Sequence, residues 1–546
     1  MTLPLADEKR LFTADRPQSD AISLIYAFPN TYSVGITSLG YQSIWAQLAQ
    51  RPDVDVRRWF IDGHEPLPRQ PEWVGFSFSW ELDYAYILRA LDRLGIPRHS
   101  DERPEGGPLV FGGGPVLTAN PEPYAVWFDV VLLGDGEDLL GQFLQAYQEV
   151  RRAPREAQRR HLAQVPGVYV PALYTVTYES PTGPVQRIEP QVGVPPTVTK
   201  QTYRGNTLTV STVVTPHAAW ENIFMVEVVR SCPEMCRFCL ASYLTLPFRT
   251  ADVQQGLMPA IERGLQYTDR LGLLGASISQ HPEFAELVHW LQADRWEGVR
   301  LSLASVRTNT LTRELCAVLA KRDSRSVTVA IESGSERLRQ IINKKLSNEE
   351  ICTAVDHAQA GGLKAIKFYG MVGVPDETPG DVQATVDLLK SLKKQAPRLQ
   401  IGFGCSTFVP KAHTPWQWCA VDPKAETKLK ELRKRLAPIG IDFRPESYND
   451  SVIQAVLSRG DRRLHRLLER TYEIAQEQGD EVPSAGTYRR AFKELRGELP
   501  PLDFYVFTEW PEDRPTPWHH LQGPLPLATL VKHRAQSRAI AAAVPC

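Results

Sequence analysis

The chain has 546 residues, 42% hydrophobic and 23% charged, with 62 basic against 63 acidic side chains and a formal charge of −1. At roughly 100 to 200 residues per domain, this excludes a single small module, a largely disordered chain and the global basic excess of many nucleic-acid binders. The sequence holds no apolar run long enough to span a bilayer, and its start, MTLPLADEKRLF, lacks a secretory segment. A cytoplasmic protein without a membrane or nucleic-acid partner is therefore expected.

Residues 1–20 are polar and without periodicity, which predicts a flexible arm. Over residues 21–150 the apolar runs AISLIYAF, VDVRRWFI, WVGFSFSW, GPLVFGGG and DVVLLGDG alternate with SLGYQSIWAQLAQ and ELDYAYILRALDRLG, whose apolar positions recur at helical spacing. That alternation predicts an α/β domain with a Rossmann/flavodoxin-like parallel sheet. Residues 151–218 read as a connector with a small β element, and the basic run Arg151 to His161 as a solvated helix face.

Over residues 219–420 a second alternation supplies the strands IFMVEVV, RLGLLGASIS, VRLSLASV, SVTVAIES, LKAIKFYGMVG and LQIGFGCSTF. It predicts a partial (β/α)6 barrel. Ser347 with Glu350 forms a capping box, and Gly361-Gly362 closes that helix. Residues 421–546 read as a mostly helical C-terminal extension on the barrel.

Eight cysteines in so long a chain do not make a disulfide framework. Three of them, Cys232, Cys236 and Cys239, have C-x3-C-x2-C spacing in a loop after the first barrel strand, at the rim where barrel enzymes place their chemistry. The paired C-x2-C elements of a zinc site are absent. Cys316 and Cys352 read as helix core residues, Cys405 as part of a strand, and no second close-spaced set appears. With Phe238 immediately before the last cysteine, SCPEMCRFC resembles the hallmark of the radical S-adenosylmethionine (SAM) superfamily. The resemblance implies a 4Fe-4S cluster on three thiolates, one iron open to SAM, and reductive cleavage to a 5′-deoxyadenosyl radical. It also implies an electron donor of flavodoxin or ferredoxin type and a small-molecule or peptidyl substrate.

By the same resemblance, Gly275 and Ser277 at the second strand end stand where a Gly-Gly-Glu segment meets the methionine amine, though the carboxylate is missing. Ser305, Arg307 and Glu332 end the next two strands in positions similar to those contacting SAM, with ordinary salt bridges as the other reading of Arg307 and Glu332. Gly373 fits the turn near the adenine. The segments FPNTYSVGITSLGYQSIW, FGGGPVLTANPEPY and VVLLGDGED resemble the cobalamin (B12)-binding-type domain of one branch of this superfamily, and Gly112, Gly113, Gly114, Gly134 and Gly136 are the candidate contacts.

The position of a lower-ligand histidine reads PNTYSVG, so any cobalamin bound there is expected to lack an imidazole; Asp62-Gly63-His64 reads as a surface turn. Methyl transfer is the first expectation for the reaction, and methylthio transfer, which needs a second cysteine set, is disfavoured. A non-enzymatic iron-sulfur or corrinoid carrier is the alternative.

Overall fold

The computed structural model describes residues 3–304 and 306–543. Strands β1 (Ile22–Ala27), β2 (Val54–Phe60), β3 (Trp73–Ser77), β4 (Leu109–Gly113) and β5 (Val130–Leu132) form a parallel sheet in the order β2, β1, β3, β4, β5. Helices cover both faces, which is why β3, WVGFS, is buried at every position. The winding reverses between β1 and β3, and the crevice beyond the carboxyl ends at such a point is where these sheets admit ligands. Two-residue antiparallel strands, Gly63–His64 and Val168–Tyr169, close the edges.

Three expectations for this half are corrected. The sheet does not end near residue 150: Val168 and Tyr169, expected in the connector, are buried and pair with β5. The basic run is a solvated face only in part: Arg152 and Arg160 are exposed, but Arg155 and Arg159 turn inward and, with Arg103, converge on the buried carboxylate of Asp129 at 3.0, 2.6 and 2.6 Å. Nor is the N-terminus a loose arm. Lys9–Arg10 pairs with Val213–Val214, and buried Glu8 accepts both terminal nitrogens of Arg58 at 2.8 and 2.9 Å.

The second half holds seven parallel strands. β6 (Ile223–Glu227), β7 (Arg270–Leu274) and β8 (Arg300–Leu303) form one sheet, and β9 (Ser326–Glu332), β10 (Ala365–Val372), β11 (Gln400–Thr407) and β12 (Asp442–Pro445) another. A bridge between Val306 and Val329 joins them into one arc. β12 lies within the expected helical extension, so the barrel gains a strand. Alternation along β10 buries Ile366 and Phe368 while Lys367 and Tyr369 face the open lumen.

The C-terminal extension lies on the barrel only in part: helix Ala425–Leu436 packs there, whereas a later helix packs on helices of the N-terminal half. Helix α1 (Leu464–Gln478) buries Leu464, Leu467, Leu468 and Ile474 in the same core as Tyr84 and Trp127. Tyr84 Oη lies 2.6 Å from Thr471 Oγ1, and Arg462 pairs with buried Glu122 at 2.9 Å. The arginines of Arg459-Gly460-Asp461-Arg462-Arg463 thus serve ion pairs and carbonyls of this junction. Among the described residues, no helix is long and apolar enough to cross a membrane.

Candidate active site

The cysteine loop leaves the barrel after β6 with Ser231 and Met235 in the left-handed region, at φ 72° and 57°. Non-glycine residues hold such conformations only when their surroundings compel them. Helix Glu336–Ile342 does so. Carbonyls of its last turn accept the Arg237 guanidinium at 3.1 Å (Gln340) and 2.7 Å (Ile341). Its left-handed C-cap, Asn343, donates its side-chain amide to the carbonyls of Glu234 and Met235 at 3.1 and 2.8 Å. Helix α2 (Leu527–Ala543) closes the outside, its His533 carbonyl accepting Arg237 Nε at 2.8 Å.

Cys236 is buried, and Cys232 and Cys239 half-buried. Burial pushes the Cys236 thiol up to about 12, against the opposing pull of Lys344, and burial also raises Cys239. Ligation must therefore displace protons, as thiolate sites do. Phe238 packs beside Cys236, Leu338, Ile341 and Trp416.

Several expected SAM residues converge on this loop. Cys232 Sγ lies 3.9 Å from Gln280 Oε1, which also accepts the Ser277 hydroxyl at 2.7 Å. Gln280 donates to Glu234, and Glu234 pairs with Arg307 at 3.0 Å. The strand end GASIS has no carboxylate, and the nearest one in this network is Glu234 of the cysteine loop. Glu332, at φ 64°, pairs with Lys344 at 3.0 Å, and the neighbouring Asn343 carbonyl lies 3.9 Å from Cys236 Sγ. Gly373 lies apart, on a second cavity with Trp416 and Arg534, where its φ of 74° and lack of a side chain admit Asp422 and Ala425. Ser305 lies outside the described residues.

The N-terminal sheet and the barrel face each other across a cavity of about 510 Å³. On the sheet side stand Gly113, Gly114, Gly134 and Gly136; on the barrel side stand Arg230, Ser231, Gly275 and Ala276. Gly275, at φ 149°, approaches the Val229 carbonyl so closely that a Cβ would lie 2.6 Å from its oxygen. Gly112 is corrected: it faces Leu117 and Phe128 in the sheet's core. Gly114 and Gly134, both at φ 112°, press against the backbones of Phe78 and Gln201, so their first role is close chain approach.

Arg230 ties the two sides, reaching Glu227 at 2.7 Å, Glu137 at 2.8 Å and Asp135 at 3.4 Å. Burial raises the Asp135 carboxyl, but Arg230, Lys200 and Arg249 outweigh it and hold it below its ordinary value. Among the described residues, no histidine lines the cavity; His64 is exposed on the edge hairpin. Lys411 is committed to Glu81 and to Ser458, and His413 is buried, its imidazole pushed down to about 4 by desolvation. Both are structural.

Residues 40–171 match the family described as radical SAM proteins, N-terminal, and residues 226–389 the radical SAM superfamily. The chain belongs to the radical SAM superfamily of enzymes. It is 27% identical over 454 residues to uncharacterized protein MJ0966 of Methanocaldococcus jannaschii, covering 82% of this chain and 90% of that one. It is 24% identical over 229 residues to the tRNA-2-methylthio-N(6)-dimethylallyladenosine synthase of Thermotoga petrophila, covering 40% of this chain and 49% of that one. Among solved structures it is similar to the radical SAM methyltransferase TsrM from Kitasatospora setae, with cobalamin and a 4Fe-4S cluster bound, at 16% identity and a TM-score of 0.48 over 76% of this chain and 75% of that one.

Sequence reasoning missed Arg237, Glu234, Gln280 and Asn343. Arg237 and Glu234 lie inside the cysteine motif and are visible there as charged residues, whereas nothing local marks Gln280 or Asn343. Asn343→Ala removes the side-chain donor to the Glu234 and Met235 carbonyls, leaving Met235 with the Tyr243 hydroxyl at 3.2 Å, beside a strained loop. A reconstituted cluster is expected to bleach about tenfold faster in a chelator than in the wild type, the scale of lost support around metal ligands. Absorbance against time measures it.

Proposed function

We propose that the protein cleaves SAM at a 4Fe-4S cluster held by Cys232, Cys236 and Cys239, and that cobalamin occupies the cavity between sheet and barrel in a methyl transfer to a carbon of a small-molecule or peptidyl substrate. When bound, the cluster supplies an electron to the sulfonium of SAM and the corrinoid supplies a carrier for the methyl group. The observation that carries this reading is the continuity of the cavity from Gly113 and Gly136 to Ser231, which directly precedes the first cluster cysteine, and to Gly275 just after β7. One ligand there meets both halves of the chain.

The residues fit these groups. Leu39, Ile44, Phe76, Phe111, Leu139 and Leu140 give the cavity an apolar wall that excludes water, as a site for reactive carbon chemistry requires. Arg307, Glu234, Ser277, Glu332 and Lys344 present charge and hydrogen bonds around the cluster loop to receive the amino acid part of SAM. Cofactor binding is expected to reorganise the Glu234–Arg307 pair, since both partners carry the groups that an ammonium and a carboxylate would seek. Methylthio transfer is not proposed: Cys316 and Cys405 are buried in the barrel core and Cys352 packs against it, so they do not assemble a second ligand set.

Two results are expected with cobalamin. EPR of the Co(II) state should show no nitrogen splitting from a protein imidazole; such splitting would refute this assignment. Gly136→Leu should weaken cobalamin binding at least roughly tenfold, or about 1.4 kcal/mol. Its Cβ meets the end of the flexible Ile44 side chain, at 2.5 Å, so the fold can adjust while the cavity narrows. Equal affinity in the variant, measured by equilibrium dialysis, would place the corrinoid elsewhere.

A further inference from the structure

Far from the cysteine loop, one ring nitrogen each of His99 and His465 and a carboxylate oxygen of Glu469 lie within 4.8 Å of one another. His99 follows the helix Tyr84–Leu94 of the N-terminal half, whereas His465 and Glu469 sit one turn apart on α1, so that they share a face. Two imidazoles and a carboxylate are a ligand set of zinc proteins.

The surroundings are arranged as metal ligands require. His465 Nδ1 lies 2.7 Å from the Arg462 carbonyl, which can only accept, so Nδ1 carries the hydrogen and Nε2 the lone pair. Trp127 Nε1 donates to Glu469 Oε1 at 2.7 Å and fixes the carboxylate. Such outer partners orient ligands and set their basicity. Glu102, 3.9 Å from His99 Nδ1, adds negative charge.

His99 Nε2 and Glu469 Oε1 are now 2.8 Å apart, joined by a shared hydrogen. His465 packs edge-on against His99, ring centroids 5.3 Å apart, and so brings a second imidazole to this pair.

We infer that His99, His465 and Glu469 bind a zinc-class divalent ion that fastens α1 to the N-terminal half of the chain. The ion takes the place of the hydrogen between His99 and Glu469: from the imidazolium form of His99 that hydrogen leaves as a proton to solvent, from the neutral form it moves to Nδ1, and in both Nε2 ligates through its lone pair with no electron moving. Bond lengths of about 2.0 to 2.2 Å set tetrahedral donors about 3.4 Å apart, so loading spreads His99 Nε2 and Glu469 Oε1 from their present 2.8 Å. Partial exposure, 29% for His99 and 16% for Glu469, leaves the fourth position to water. This site is independent of the cluster and of the proposed reaction.

The test uses the full-length protein with its cluster reconstituted, so that the cysteines are occupied, stripped of other metal and titrated with zinc. One zinc per chain is expected in the wild type. His465→Gln and Glu469→Gln should each bind it at least roughly tenfold more weakly, with iron content unchanged. Zinc should raise the melting temperature of the wild type and not of the variants. Cobalt(II) in the wild type should give visible bands of nitrogen and oxygen coordination; this measurement holds even if the variants fold poorly. No zinc in the wild type, equal binding in all three proteins, or a thiolate-to-cobalt band would each overturn the site.

Discussion

Replacing Cys232, Cys236 or Cys239 by alanine is expected to abolish the cluster and all SAM cleavage, whereas Cys316→Ala, Cys352→Ala and Cys419→Ala leave iron content at the wild-type level. The loop that carries the trio is held by Arg237 and Asn343 through main-chain carbonyls, so removing a sulfur leaves its frame standing. Cys316 is instead wedged against Gly361, whose Cβ would come within 2.3 Å of it, and Cys419 lies in the apolar cluster with Trp416. Iron and acid-labile sulfide analysis of anaerobically reconstituted variants measures this. Iron surviving in the triple variant would mean that the scattered thiols form a second centre.

The largest expected effect on stability is at Asp129. Its carboxylate is fully buried and meets Arg103, Arg155 and Arg159, while Oδ2 also accepts the Val110 amide at 2.9 Å. Asp129→Ala leaves three buried or nearly buried guanidinium groups without their counter-charge and should cost about 3 to 5 kcal/mol. Burial raises this carboxyl, but the three arginines outweigh it and hold the value below normal.

Because the folded value is depressed, the stability it contributes is present above the unfolded value of about 3.9 and is lost as pH falls through the folded one. Between pH 8 and 5 this pair therefore adds no slope. Urea midpoints of the N-terminal sheet transition should be far lower in Asp129→Ala at neutral pH, and the gap to the wild type should close only in acid. An unchanged midpoint would show that the arginines find other partners.

What the sequence displayed was local. Three cysteines within one loop, the near-continuous apolar strands and the capping box at Ser347 are each written in a few adjacent residues, and each appears in the structure. What it hid depends on partners distant along the chain. Arg155 and Arg159 look like a solvated face until Asp129 is folded beneath them. Lys9 and Arg10 look like a tail until Val213 and Val214 offer an edge. β12 has only four residues, none of them fully buried, so no apolar run announces it.

Within the site, Glu234 and Arg307 are more than seventy residues apart, and their pairing across the cluster loop has no local signature. Conversely, Gly112 resembled its neighbours in the FGGG segment but faces the core, because one step along a strand turns a residue to the other face.

The most direct measurement is the fate of SAM on the reduced, cluster-loaded protein. Anaerobic protein with dithionite, cobalamin and SAM should release 5′-deoxyadenosine or S-adenosylhomocysteine above background, and SAM alone should alter the EPR signal of the reduced cluster by binding its open iron. An intact cluster whose EPR signal ignores SAM, with neither product formed in the presence of cell extract as a source of substrate, would contradict SAM cleavage and leave a protein that carries its cofactors without turnover.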